Sequence, residues 1–261
     1  MLNALQSGGR LNRLKGLWRE GKVALGVIAT IASTQIVQVL AAGGLDFVLI
    51  DFEHGAIDLE AAHAMIAATA GTTLTPLVRV AAPEAVNAKA PLDLGALGIN
   101  FPMTTTRQVA ERIVRAVRYP PEGDRYWGPF YAPPRWGLSM REYLDIANDE
   151  VLAMGTIEHI DALQTIEDVV QTPGLDVAFI GPGDLATSMG LRGQEDHPDV
   201  VAAIRKLEAV IAPSPVILGG PARSPAEARE MIARGYRALG VGFDWSLLQR
   251  GLAAAIEGVR R

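Results

Sequence analysis

Residues 156–184, TIEHIDALQTIEDVVQTPGLDVAFIGPGD, read as the end of a strand, a helix, a second strand and a loop. The apolar run Val151 to Ile157 stops at Glu158. Asp161 with Gln164 three residues on resembles a capping box. Leu163, Ile166, Val169 and Val170 then recur at helical spacing until Pro173-Gly174 ends the helix. Val177 to Ile180 is a buried strand by length and composition, and it runs into Gly181-Pro182-Gly183-Asp184. The strands of a strand-helix-strand unit are normally parallel, so Glu158 and Asp184 are expected together at the carboxyl edge of one sheet. Ligands bind at that edge in open and closed α/β sheets alike. Two carboxylates so placed repel unless a cation or a proton lies between them. With four His and no Cys in the chain, oxygen ligands suggest a hard divalent ion, Mg²⁺ or Mn²⁺. Acidic residues after strands also cap the following helix, and the pair alone leaves both readings open.

Working outward, the same unit recurs. Strand candidates are 23–31, Phe47–Ile50, Pro76–Val80, Gly98–Phe101, Val151–Ile157, Val177–Ile180, Pro215–Leu218 and Arg237–Val241. Helices are expected at Ser33–Ala42, Asp58–Ala70, Pro83–Leu94 (with Pro91 kinking or shortening it), Thr104–Val117 and Ser139–Asn148. Others follow Asp161, then span Pro198–Ile211, Pro225–Arg234 and Asp244–Val259. Strands that are apolar throughout and alternate with helices indicate a parallel sheet. Eight repeats at this length fit a (β/α)₈ TIM barrel better than a doubly wound sheet. The weak recurrence of GLDFVLID, GLDVAFIG and GYRALGVG supports repeated βα units. One stretch breaks the pattern: residues 119–137, YPPEGDRYWGPFYAPPRWG, with five Pro, are expected to be a functional or interface loop.

Nothing divides the 261 residues into two parts, so a single domain over 1–261 is expected. A hydrophobic content of 49% allows a sizeable core, but no apolar run approaches the ~18 residues of a membrane span. The net charge of −5, with both signs interspersed, leaves no footprint for nucleic acid and favours a small-molecule ligand. Without Cys there are no disulfides and no thiolate chemistry, which is compatible with a reducing interior. Arg10, Arg13 and Lys15 have no apolar signal core behind them, so the N-terminus reads as a first helix of a cytoplasmic protein.

In a barrel, residues just past strand ends share one mouth. Asp51 and His54 follow the second strand, Arg79 ends the third, and Glu158 and Asp184 follow the fifth and sixth. A carboxylate pair, a titratable base and a fixed cation thus converge. Each has a plainer reading: His54 packed under a loop, Arg79 in an ion pair, Asp51 as a helix cap. None of the four lysines, Lys15, Lys22, Lys89 and Lys206, falls at a strand's carboxyl end, so Schiff-base aldolase chemistry is not expected. His63, His159 and His197 read as structural or surface residues. Gly219-Gly220 and Gly240-Val241-Gly242 match phosphate-binding turns, but turns need glycine in any case.

LIDFEHGAIDLE, PLVRV, Lys89 to Asp93 with Gly95, RYPPEG, IEHIDAL and FIGPGDLATSMG together resemble the HpcH/HpaI family of class II pyruvate aldolases. Its namesake is 4-hydroxy-2-oxoheptanedioate aldolase, and citrate lyase β-subunits and macrophomate synthase are relatives. The similarity runs from about residue 20 to the end in matching order. It implies that Glu158 and Asp184 hold a divalent metal (Mg²⁺, Mn²⁺ or Co²⁺) chelated by pyruvate through its carboxylate and keto oxygens. It implies that Arg79 contacts the keto or enolate oxygen and that His54 transfers protons, with Asp51 and Asp93 orienting it. Gly181, Pro182 and Gly183 would meet the substrate carboxylate through backbone amides. A metal and a guanidinium suit the charge developing on an enolate, and histidine titrates near neutrality.

Two departures mark this chain. The tryptophan frequent after the family's first strand is missing near Ile28, and the usual Arg-Gly-x-Gly appears as Arg125-Tyr126-Trp127-Gly128. Tyr126, Trp127, Phe130 and Tyr131 are expected either to select the aldehyde or, as slightly favoured, to contact other subunits. Family members form hexamers, as trimers of dimers, whose last helix packs on or swaps with a neighbour. The expected activity is aldol cleavage or formation at C3–C4 of a 4-hydroxy-2-oxo acid, giving pyruvate or an analogue plus an aldehyde. The alternatives are oxaloacetate decarboxylation, a macrophomate-synthase-like condensation, or a non-catalytic barrel that binds a 2-oxo acid.

Overall fold

The structure, a computed structural model, describes residues 11–260; Arg10 and the rest of the first ten residues lie outside the described residues. In chain order the elements are α1 (Arg13–Arg19), β1 (Ala24–Ala29), α2 (Thr34–Ala42), β2 (Phe47–Asp51), α3 (Leu59–Ala67), β3 (Thr75–Arg79), α4 (Ala85–Asp93), β4 (Gly98–Phe101), α5 (Arg107–Val117) and α6 (Ala132–Arg135). They continue with α7 (Met140–Glu150), β5 (Leu152–Ile157), α8 (Ala162–Val170), β6 (Val177–Ile180), α9 (Pro182–Ser188), α10 (Pro198–Ile211), β7 (Ile217–Pro221), α11 (Pro225–Ala233), β8 (Ala238–Phe243) and α12 (Asp244–Arg260). The eight strands pair in sequence order, all parallel, and β8 closes on β1. The expected (β/α)₈ barrel is the observed fold.

The period of two along each strand sorts its residues. Phe47, Leu49, Leu77, Leu152, Met154, Val177 and Phe179 pack together in the lumen, where Leu14 of α1 fills the amino end. Their neighbours Val48, Ile50, Val78, Ala153, Ile157, Ala178 and Ile180 pack against the helix ring. Continuing that alternation by one more step places Asp51, Arg79 and Glu158 in the lumen at its carboxyl end. Asn100 and Thr156 bond to each other in the same polar layer (Thr156 Oγ1 to Asn100 Oδ1, 3.0 Å). Strands β2 and β3 therefore spend their apolar residues on the core and end in a polar residue inside the mouth, and β5 runs into one.

Capping residues start the helices where the pattern placed them. Ser33, Asp58, Thr106, Ser139 and Ser224 each accept the N–H three residues on, and Ser139 with Glu142 forms a full capping box. The box expected at Asp161 does not form. That residue is itself helical (φ −60°, ψ −31°), so its carboxylate does not accept a first-turn N–H, and His159 Nδ1 accepts the Asp161 N–H (3.3 Å) in place of Gln164. Pro91 lies in the last turn of α4 without breaking it.

The loop 119–137 contains α6 and packs on the outside of the barrel. Trp136 is buried with Leu97, Leu138 and Tyr143 and donates Nε1 to Gly95 O (3.1 Å). Tyr131 meets His63 of α3 edge-on, and Tyr126 lies beside Lys89 of α4. The loop therefore does not wall the mouth of its own chain. Among the described residues no helix is long and apolar enough to cross a membrane.

Candidate active site

Asp51 and Arg79 are paired partners across β2 and β3, and their side chains meet fork to fork: Nε to Oδ1 at 2.8 Å and Nη2 to Oδ2 at 2.6 Å. Asp51 is fully buried and Arg79 is 8% exposed. A bidentate pair of this kind fixes the guanidinium plane as well as its position. Asp51 Oδ1 also accepts the backbone N–H groups of Glu53 (3.0 Å) and His54 (3.4 Å), which shapes the turn after β2. Asp51 thus orients Arg79 and the backbone of His54. It does not reach the imidazole as expected, because the guanidinium takes both its oxygens.

The carboxylate beside the His54 ring is that of Glu53, a residue the sequence reading passed over (Nε2 to Oε2, 3.8 Å). The His54 side chain is 58% exposed and that of Glu53 is 19% exposed. Glu53 Oε2 also lies 3.2 Å from Arg79 Nε, yet it is buried without a hydrogen bond. Burial pushes the Glu53 carboxyl above its usual range, against the pull of Arg79 and His54. Its one sequence signal was adjacency to His54.

Glu158 is 3% exposed, and its Oε1 accepts the N–H of Met103 (2.7 Å). Met103 adopts φ +53°, uncommon for a residue with a side chain, and so turns its amide toward that carboxylate. Burial, reinforced by the charges of Glu53 and Asp184, raises the Glu158 pKa to about 7. Asp184 sits exposed in the first turn of α9, a helix read from sequence as loop. Gly181 packs against Glu158: a Cβ there would lie 2.9 Å from Glu158 Cβ and Oε2. Of the expected carboxylate-binding stretch, Gly183 and Asp184 can offer first-turn N–H groups, whereas Pro182 has none.

Asp93 falls elsewhere. It ends α4, which runs from the carboxyl end of β3 back to the amino end of β4, so it lies at the opposite end of the barrel from Asp51. There it pairs with buried Arg125 (3.3 Å) under Gly128, and the expectation that it orients His54 of the same chain does not hold.

Glu158, buried and repelled by Glu53 and Asp184, favours a bound cation, and the donor set is all oxygen. Among the described residues no group of three or more His, Cys, Asp or Glu surrounds a common point. The set Glu158 and Asp184 suits an ion that takes one or two protein carboxylates and completes its shell with substrate and water, the habit of Mg²⁺.

Residues 25–250 match the HpcH/HpaI aldolase/citrate lyase family. A hydroxypyruvate/pyruvate aldolase from Cupriavidus necator is 36% identical over 236 residues, covering 89% of this chain and 88% of that protein. A 4-hydroxy-2-oxo-heptane-1,7-dioate aldolase from Salmonella typhimurium is 33% identical over 249 residues, 93% of this chain and 92% of its own. The crystal structure of an HpcH/HpaI aldolase/citrate lyase family protein from Burkholderia cenocepacia superposes with a TM-score of 0.88 at 33% identity, over 96% of this chain and all of that one. With its barrel closed, its polar mouth in place and its length matched almost throughout, the chain belongs to the HpcH/HpaI aldolase/citrate lyase family.

Proposed function

We propose that this protein is a divalent-metal-dependent aldolase that makes or cleaves the C3–C4 bond of a 4-hydroxy-2-oxo acid, with pyruvate or a close analogue and an aldehyde on the other side. The observation that carries this reading is the Asp51-locked Arg79 guanidinium at the same mouth as the desolvated Glu158 carboxylate. Membership of an aldolase family supports it. Glu158 and Asp184 hold the cation, whose contribution when bound is to polarise the 2-oxo group as a Lewis acid. Arg79 donates to the oxygen on which enolate charge develops, from a position fixed before substrate arrives. His54, exposed at the mouth, takes the proton from the 4-hydroxyl, directly or through water, as the C3–C4 bond breaks. It then returns a proton to C3, which completes pyruvate. The Gly183 and Asp184 amides face the substrate carboxylate at the start of α9. The apolar residues exposed on α12 (Trp245, Leu248, Leu252, Ile256) and the aromatic loop support assembly with further copies of the chain, in a cytoplasmic enzyme.

Exchange of the pyruvate methyl protons in D₂O, followed by NMR, tests this half-reaction without the unknown aldehyde. Exchange that appears with Mg²⁺, Mn²⁺ or Co²⁺ and vanishes with chelator is expected. Pyruvate binding without exchange under any of these metals would refute the reading and favour a binding barrel. The same enolate serves oxaloacetate decarboxylation, and product analysis with oxaloacetate against hydroxy-oxo acids separates the two.

A further inference from the structure

The glycines of Gly240-Val241-Gly242 belong to a bulge. β1 and β8 pair Gly26 with Gly240 but Ile28 with Phe243, so β8 carries one extra residue at the seam where the barrel closes. Gly242 takes φ +142°, a conformation open to glycine and rare for other residues. The bulge turns the end of β8 toward β1, and Asp244, 5% exposed, faces the loop that follows β1. Its Oδ2 accepts the backbone N–H groups of Thr30 (3.0 Å) and Ile31 (2.9 Å). Its Oδ1 accepts the Thr30 hydroxyl (2.9 Å) and the N–H of Trp245 (2.9 Å). A residue that merely capped α12 would accept N–H groups of that helix's first turn and make none of the bonds to Thr30 and Ile31. Three of the four leave the helix and fasten residues 30–31.

Thr30 in turn supports the turn that carries His54. A Cβ on Gly55 would lie 3.1 Å from Thr30 Cα and 3.2 Å from Thr30 O, and would collide with the Asp51 carbonyl oxygen. The segment 51–55 is therefore gripped on one side by Asp51, which takes the N–H groups of Glu53 and His54, and backed on the other by Thr30. We propose that Asp244 is a positioning residue for His54, acting through Thr30 and Gly55, and that it couples the start of α12 to the proton-transfer group. This rests on the reading of His54 given above. Asp244 touches neither the Glu158 and Asp184 pair nor Arg79, so its loss would disturb the proton step and spare metal binding.

Asp244→Ala, Asp244→Asn and Thr30→Val test the assignment. In Asp244→Ala the exchange rate at saturating Mn²⁺ and pyruvate is expected to fall by roughly tenfold to a hundredfold, as displacement of a reacting group does. Mn²⁺ affinity should stay the same. Asp244→Asn, which keeps an oxygen for the two backbone N–H groups, should restore most of the rate. In a His54→Ala background Asp244→Ala should cause no further loss. The imidazole NMR signals of His54 should shift in Asp244→Ala and, less, in Thr30→Val, while those of His197 stay in place. An unchanged His54 signal and rate, a parallel loss of Mn²⁺ affinity, or an undiminished effect without His54 would each overturn the proposal. If Asp244→Ala does not fold, Thr30→Val, which removes only the hydroxyl bond, decides through the His54 signal. Absence of exchange in the unmutated protein would refute the aldolase reading, and the imidazole signals would still decide the positioning.

Discussion

Replacing Glu158 by Gln should stabilise the metal-free protein at alkaline pH and leave it unchanged near pH 4.5. The carboxyl is 3% exposed, and burial with its acidic neighbours lifts its pKa from an ordinary 4.5 to about 7. A carboxyl whose folded pKa is raised binds its proton more tightly folded than unfolded. Its contribution to stability is fully present below the unfolded value and is lost as pH rises through the folded one. At about 1.4 kcal/mol per unit, the ionised side chain costs the folded protein about 3 kcal/mol by pH 8. Gln keeps an oxygen for the Met103 N–H and carries no charge. For a chain of this size that difference is roughly 6–10 °C in Tm. Thermal melts in chelator from pH 4.5 to 8 would show the two proteins diverging across this window, the wild type falling. Saturating Mn²⁺ should then raise the wild type and not the variant, by mass action on the folded state. Parallel curves across the whole range would refute the argument that Glu158 is held against its own charge.

Three other outcomes follow from the geometry. His54→Ala should retain Mn²⁺ and pyruvate binding while slowing methyl-proton exchange by roughly 10²–10⁴-fold, and an unchanged rate would remove it from the reaction. Arg79→Met strands the buried Asp51 carboxylate and should lower stability to urea by about 3–5 kcal/mol, with the loss largely recovered when Asp51→Asn is added. Gly181→Ala pushes a methyl group onto Glu158 and should weaken Mn²⁺ binding by roughly tenfold or more, measurable by titration of the intact protein.

The barrel was legible because its signal is local. Buried strands such as Phe47–Asp51 and Val177–Ile180 are apolar at every position, and helix starts such as Ser33, Asp58 and Ser224 carry their own capping chemistry. Asp51, Arg79 and Glu158 were legible for the same reason, since each stands at or one step past a strand end. What depended on tertiary geometry was not. Asp93 looked like a partner for His54 until α4 carried it to the far end of the barrel, and Glu53 was hidden because only the turn after β2 brings it to the ring. Asp161 has the right type and spacing for a cap, but its own backbone is helical. Composition left the aromatic loop open between selecting the aldehyde and contacting other subunits, and it is tertiary packing through Trp136 and Tyr131 that draws it onto the outer helices. The short α9 escaped because Gly181-Pro182-Gly183 carries loop composition although Pro suits a first helical turn.

The fork-to-fork union of Asp51 with Arg79 also governs what the mouth can learn to bind. With Nε–H and one Nη2–H committed to Asp51, the outer Nη2–H and the Nη1 N–H groups are left for a ligand, and the plane they lie in is set by the strand pairing of β2 with β3. Little side-chain entropy remains to be lost when a ligand arrives. Selection among 2-oxo acids can therefore change through the rest of the mouth while this one plane stays constant. A lysine at position 79 would conserve the charge and discard the direction.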